Sequence, residues 1–526
     1  MNDPTRPPAP FAWPATPTAL VLATIGVGVA LRLALGAAMG LGVDEAYTVA
    51  STRNWMLSYF DHPPLHVWML SAVRDLTGSD HRLVLRLPFI AMFAGTTWMM
   101  FRLGAKLFGD WAGAWAALAL NLAPVLTLSA GGWIVPDGPL MFFLLATTLC
   151  LSEALFGAGR ARPTLWWTLA GACLGFAFLS KYHAALFALG VLAYLVATPG
   201  RRAPLGRPGP WLGAGIALLL FAPVLIWNAE NDWVSFLFQG GRGTAGDGLR
   251  PDRVLTSLLG QAVWLLPWIW APLVWRLYRG LRDGPGGGPA AERAWFLCWL
   301  GLPIIAVFTI IPLWGGRGLP HWQMPGYLLL FPLLGAWVEA WRGRQPARAR
   351  KAVRGAVAAT LALVLLLGSH AATGWGRAVA PDLLRKGDPS LEALDWGDLR
   401  RALAARDLLG EPGLFAVAVH WIEAGKIGAA IGDRLPLLVL SGDPRNFAFQ
   451  HDPADFAGRD ALIVGGWKSR PDTVAALAPY FEAIEPLAPV ALTRGGRREM
   501  EVLLYRGRRF TGAYPLPFPD RTPAGD

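Results

Sequence analysis

Residues 18–47 read TALVLATIGVGVALRLALGAAMGLGVDEAY. From Thr18 to Gly40 the run carries a single charge, Arg32, and is long enough to cross a bilayer, which takes about 20 mostly apolar residues. Two adjacent carboxylates, Asp44 and Glu45, follow almost at once. A membrane helix that opens into an acidic loop sets the expectation for the whole chain: a helical bundle with its chemistry at the span ends. Arg32 lies inside the run, roughly 18 Å of helix before Asp44 at 1.5 Å per residue.

Composition agrees. Of 526 residues, 54% are hydrophobic and 16% charged, against about 25% charged in a soluble domain. That excludes a disordered protein and argues against a soluble enzyme. Outward from the first run, about eleven segments read as spans: 18–40, 84–107, 111–130, 137–157, 164–180, 182–198, 210–228, 255–275, 294–313, 322–341 and 353–372. The three cysteines, Cys150, Cys173 and Cys298, sit in apolar runs without metal-ligand spacing, so no disulfide framework is expected. The polar N-terminal residues, with Arg6 their one positive charge, do not read as a cleaved signal.

The net charge of +11 is explained by topology. With a cytoplasmic N-terminus, the short inner loops collect Lys106, Arg160, Arg162, Arg201, Arg202, Arg207, the run from Arg276 to Arg293 and the run from Arg342 to Arg354. This is the positive-inside pattern, and it removes the case for nucleic-acid binding. Loops 41–83 and 229–254 and the segment from about 373 then face outward. Residues 1–372 form the membrane part. In 373–526, short apolar runs at Phe415–Val419, Pro436–Leu440, Ala461–Val464 and Val502–Tyr505 alternate with amphipathic stretches, which predicts a small α/β domain.

The outward side holds the candidate chemistry. Loop 41–83 carries Asp44-Glu45 and then Tyr59-Phe60-Asp61-His62-Pro63-Pro64. Two carboxylates with a histidine can act as a general base or bind a divalent metal. Asp137 follows Pro136 at a helix start, where it can also cap the helix. Lys181, between two apolar runs, suits an anionic phosphate or marks a simple boundary. Arg242 in Gln239-Gly240-Gly241-Arg242-Gly243 and Arg317 in Gly315-Gly316-Arg317-Gly318 offer guanidinium groups in glycine-rich turns, and His321 adds an imidazole.

The run Asp44-Glu45-Ala46-Tyr47 followed by Tyr59-Phe60-Asp61-His62-Pro63-Pro64 resembles bacterial glycosyltransferase family 39, which includes protein O-mannosyltransferases and lipid A aminoarabinose transferases. Pro136-Asp137-Gly138-Pro139, Leu179-Ser180-Lys181-Tyr182, Phe238 to Arg242 and Pro320-His321-Trp322 match in the family's order, covering the membrane part to about residue 341. The resemblance implies the C-type glycosyltransferase fold in a bacterial inner membrane. It also implies inverting transfer from a polyprenyl-phosphate sugar to an envelope acceptor (lipid A or lipopolysaccharide, another glycan, a lipid or a protein). Carried over, Asp44 is the general base and Glu45 supports it. His62, Lys181, Arg242 and Arg317 hold the carrier phosphate. Asp137, His321 and Tyr59 contact substrate. Asp61 matches a carboxylate that binds a divalent metal in some relatives, although this chain has His62 where those have lysine and Gln239 near the place of a second, histidine ligand. A lipid or sugar flippase is the alternative. It is disfavoured by the absence of a repeat and by ionisable groups gathered at span ends rather than at the midplane.

Overall fold

The computed structural model describes residues 16–157, 162–244, 248–314, 318–384, 387–469 and 471–515. Helix starts follow local chemistry. Thr16 accepts from the Ala19 amide to cap α1 (Pro17–Ala38), and proline occupies the first turn of several others, where its missing N–H is not needed. Loop 41–83 folds as α2 (Val43–Ser51) and α3 (Leu65–Thr77). The bundle continues through α4 (Arg82–Phe108), α5 (Asp110–Asn121), α6 (Asp137–Phe156), α7 (Pro163–Ser180), α8 (Ala184–Ala197), α9 (Pro208–Glu230), α10 (Val234–Thr244), α11 (Pro251–Leu265), α12 (Pro267–Asp283), α13 (Pro289–Ile310), α14 (Met324–Leu328), α15 (Phe331–Arg344) and α16 (Pro346–Thr373).

Seven helices among the described residues are long and apolar enough to cross a membrane: α1, α4, α6, α7, α9, α13 with its extension to Trp314, and α16. Two bent pairs, α8 with Pro199–Gly206 and α11 with α12, raise this to nine at most. Several of the eleven expected segments are broken rather than continuous helices, and proline is the physical reason. Pro267 follows Leu266, whose φ of +71° turns the chain by 117° between α11 and α12. Run 111–130 is interrupted before Pro124, after which residues Val125–Ala130 form a π-helix. In run 322–341, Pro332 lacks an N–H and its ring would crowd the carbonyl of Leu328, so α14 and α15 stay separate.

Close helix contacts rely on small residues, as expected where lipid removes a hydrophobic drive between helices. A Cβ on Gly171 of α7 would lie 2.1 Å from the Gly213 carbonyl of α9, so the two backbones touch. At one end of the bundle, ion pairs join neighbouring segments at Lys106–Glu153 (2.8 Å) and Arg201–Glu292 (2.5 Å), and Arg342 pairs with Glu339 within α15 at 2.7 Å. Arg160 lies outside the described residues. Loop 41–83, α10 and the C-terminal segment gather at the opposite end.

After α16 come two short turns, α17 (Gly376–Val379) and α18 (Pro381–Leu384), then α19 (Gly397–Ala405) and α20 (Trp421–Ile431) with a five-stranded sheet. Its order is β2-β1-β3-β5-β4. Strands β1 (Phe415–Ala418), β2 (Leu437–Val439) and β3 (Ala461–Gly465) are parallel and fully buried, which is why they read as unbroken apolar runs. Strands β4 (Ala483–Arg494) and β5 (Arg497–Arg508) form an antiparallel hairpin.

This sheet domain is seated on loop 41–83 through α20. A Cβ on Gly425 would lie 2.9 Å from the Tyr47 backbone, and one on Gly428 would lie 2.7 Å from Ala50. Arg53 donates to the carbonyls of Leu435 and Gly428 at 3.1 and 3.0 Å, and also to that of Gly432. Lys426, buried at the same junction, donates to the carbonyls of Leu41, Glu392 (2.6 Å) and Leu394 (3.2 Å). Burial pushes its amine down to about 7.

Candidate active site

Helix α2 begins at Gly42, and its first turn holds both carboxylates. Successive helical residues point about 100° apart, so Asp44 and Glu45 face different surroundings. Glu45 turns into the bundle and is 1% exposed. It accepts from Arg86 at 2.7 and 2.5 Å, from the Ile134 amide at 3.1 Å and from the Gly42 amide at 2.7 Å. Arg86 also donates to the carbonyls of Gly36, Met39 and Gly40 at the end of α1. Glu45, expected to support Asp44, has its lone pairs committed to locking α1, α2 and α4 together, which fixes where Asp44 points.

Asp44 opens into a cavity of about 550 Å³ between the end of α1, the end of α16 and the segment before α19. Leu35, Val364 and Leu367 give it apolar walls, with His370 and Ser390 on the polar side. Asp44 is exposed on the cavity side, and desolvation by the protein around it pushes its carboxyl up to about 6. Arg445 pulls it down, while Asp61, Glu392 and Asp137 push it further up. A carboxylate titrating near neutrality and open to a cavity fits a general base.

The other carboxylates lie within electrostatic reach of Asp44. Asp137, the first residue of α6, holds Lys181 at 2.9 and 3.0 Å, and the pair is buried. His66, His183 and His321 lie around Asp137, whose carboxylate is paired with Lys181. His62 meets His66 edge to face at 6.1 Å between ring centroids, and His321 lies 5.8 Å from Trp264. Burial lowers His66 to about 4, so its imidazole is neutral at pH 7.

Asp61 is 4% exposed. It accepts from the Tyr47 hydroxyl and pairs with Arg445 at 3.2 Å. Gln239 donates its side-chain amide to the Asp61 main-chain carbonyl at 2.5 Å. Among the described residues no group of three His, Cys, Asp or Glu side chains converges. The described partners of the Asp61 carboxylate are a hydroxyl and a guanidinium, and its main-chain carbonyl accepts from an amide N–H; these partners do not fit a divalent metal.

Tyr59 is 3% exposed, with its hydroxyl 3.4 Å from both the Met56 amide and the Asn54 carbonyl. It is loop core, so the expectation of substrate contact is corrected. Arg242 belongs to α10, but its side chain lies outside the description, as does the whole of Arg317. Sequence reasoning missed Arg445, Trp421 and Arg86. Arg86 carries a signal, a charge in an apolar span. Arg445 and Trp421 lie in the sheet domain with no motif around them.

Residues 61–227 match the family described as dolichyl-phosphate-mannose-protein mannosyltransferase, a glycosyltransferase family 39 domain. A lipid A galacturonosyltransferase, RgtD, of Rhizobium johnstonii is 26% identical over 271 residues, covering 51% of this chain and 54% of that protein. The undecaprenyl phosphate-alpha-4-amino-4-deoxy-L-arabinose arabinosyl transferase of Pseudomonas aeruginosa is 27% identical over 285 residues, covering 53% and 50%. The chain thus spans about half the length of the curated relatives it matches. In structure, ArnT from Cupriavidus metallidurans superposes over 93% of this chain and 98% of its own, with a TM-score of 0.66 and 18% identity in the apo state. With undecaprenyl phosphate bound, its TM-score is 0.63 at 20% identity. The fold is that of ArnT: a multi-span membrane bundle with a small C-terminal sheet domain.

Proposed function

We propose, from the family 39 domain at residues 61–227 on an ArnT-like bundle, that this chain is a membrane glycosyltransferase. It takes a sugar from a polyprenyl-phosphate carrier and passes it to lipid A or a related envelope acceptor, on the periplasmic face of the bacterial inner membrane. The observation that carries the reading is Asp44: a carboxyl raised to about 6 and open to an apolar-walled cavity, with Arg445 opposing its charge.

In the reaction, the acceptor oxygen attacks the anomeric carbon opposite the phosphate, and Asp44 takes its proton. The bond from anomeric carbon to phosphate oxygen breaks, the configuration inverts, and the carrier phosphate leaves with one more negative charge. Lys181 answers that charge. An ammonium has three N–H donors, and the contacts with the two Asp137 oxygens leave capacity for a phosphate oxygen. His62, Arg242 and Arg317 complete the proposed phosphate-binding set. Asp137 acts by orienting Lys181, and His321 stands beside it. Stabilising charge that develops during transfer is commonly the largest catalytic contribution.

The test is reconstituted transfer from an undecaprenyl-phosphate-linked sugar to lipid A. Asp44→Asn should lower the rate by roughly 100-fold or more while leaving expression and folding intact. Normal transfer by this variant would overturn the base assignment, and carrier translocation without any glycosyl product would favour the flippase.

A further inference from the structure

One charged group at the site comes from outside the membrane bundle. Arg445 opens the turn Arg445–Phe449 of the sheet domain with φ +50°, a left-handed backbone that a residue with a Cβ holds only when its surroundings enforce it. Its guanidinium lies 3.7 Å from the centroid of the Trp421 ring and 5.5 Å from that of Phe238, so aromatic faces from α20 and α10 both border it. A planar, always-charged guanidinium suits such a slot better than an ammonium.

The neighbouring contacts close on the same point. Arg445 Nη1 is 3.2 Å from Asp61 Oδ1. The Tyr47 hydroxyl donates to Asp61 and accepts from the Asn446 amide at 3.1 Å. Asn446 Oδ1 accepts from the Phe60 amide at 3.2 Å. Residues 445–446 therefore grip residues 60–61 through both backbone and side chain, while Gln239 holds the Asp61 carbonyl from α10. Among the described residues, Asp44 faces the carboxylates Asp61, Glu392 and Asp137, which raise it, and Arg445, which lowers it; Asp137 is in turn paired with Lys181.

We propose that Arg445 is the resident cation of this carboxylate cluster, delivered by the C-terminal domain. It fixes Asp61, offsets the negative charge facing Asp44, and leaves the site complete only when that domain is seated on loop 41–83. It is a positioning residue, acting through Asp61 and Asp44, and it supplies from within the chain the positive charge that a divalent ion would supply beside Asp61. The inference rests on the reading of Asp44 as general base.

The experiment uses the full-length protein in proteoliposomes, an undecaprenyl-phosphate-linked sugar as donor and lipid A as acceptor, with initial rates followed through the acidic limb of the pH profile. Arg445→Gln should move that limb to higher pH by about one unit, lowering the rate on the limb about tenfold. Asp61→Asn should move it to lower pH, and the double variant should return toward wild type. Arg445→Lys should keep most of the wild-type position. A residue with a merely structural part would not move the limb in opposite directions. Chelation with EDTA, or added Mg²⁺, Mn²⁺ or Zn²⁺, should leave wild-type transfer unchanged.

An unmoved limb in both single variants, with Asp44→Asn inactive, would overturn the part given to Arg445 and leave the base assignment standing. Loss of wild-type transfer in EDTA with recovery on adding a divalent ion would overturn it too. Normal transfer by Asp44→Asn would instead defeat the base assignment on which it rests.

Discussion

Replacing Glu45 with alanine should be the most damaging single change outside the reacting groups. The Glu45–Arg86 side chains are 1% and 2% exposed and meet through two hydrogen bonds of 2.5 and 2.7 Å. An exposed ion pair would contribute about 0–1 kcal/mol. Removing one partner of a buried pair costs about 3–5 kcal/mol, because the other charge stays desolvated and unpaired. The Ile134 and Gly42 amides lose their acceptor in the same substitution, which keeps the expected loss in the upper part of that range, about 4 kcal/mol. The assay is equilibrium unfolding in detergent micelles for Glu45→Ala, Arg86→Met and the Glu45→Ala/Arg86→Met double variant. The double variant should be less destabilised than the sum of the singles, with a coupling of about 2–3 kcal/mol. A loss under about 1 kcal/mol for Glu45→Ala, or strict additivity, would refute the claim that this pair locks α1, α2 and α4 and so aims Asp44.

Two further outcomes follow from the same geometry. Transfer should rise with pH through about 6 as Asp44 ionises. Stability should move the other way, because a carboxyl raised above its ordinary 3.8 binds its proton more tightly folded than unfolded and so gains stability as pH falls from about 6 toward 4. Parallel rate and thermal-midpoint profiles of wild type and Asp44→Asn measure both, and the variant should lose the dependence. Gly425→Val should lift α20 from α2, since even a Cβ would stand 2.9 Å from the Tyr47 backbone. A destabilisation of about 1–3 kcal/mol is expected, read as faster proteolytic release of the sheet domain with loss of transfer.

What the sequence disclosed depended on how local the cause was. Long apolar runs reveal helices such as α1, α9 and α16, because burial in lipid acts on composition alone. The same averaging hides Pro267, Pro124 and Pro332, where one missing N–H breaks a run whose hydropathy never falters. Asp44, Asp61, Asp137 and Lys181 stood out because charge beside an apolar segment is rare. Glu45 looked equivalent to Asp44, yet one helical step turned it toward Arg86. Strand β4 escaped because its exposed face and two prolines, Pro486 and Pro489, give no apolar run. Arg445 was illegible for a different reason: an arginine in a soluble domain is unremarkable until folding sets it against Trp421 and Asp61.

The clasp between Asp61 and Arg445 joins positions 384 residues apart. At about 5–20 residues per second, a ribosome needs roughly 20–80 s to travel from one to the other. Throughout that interval the carboxylate loop already exists, and its counter-charge has yet to be translated. A half-made chain therefore carries Asp44 and Asp61 without the guanidinium that opposes their charge, and on the proposed reading its acidic limb lies at higher pH until synthesis is complete. A premature stop before residue 445 would leave loop 41–83 in the bilayer with its carboxylates and without the counter-charge that Arg445 supplies.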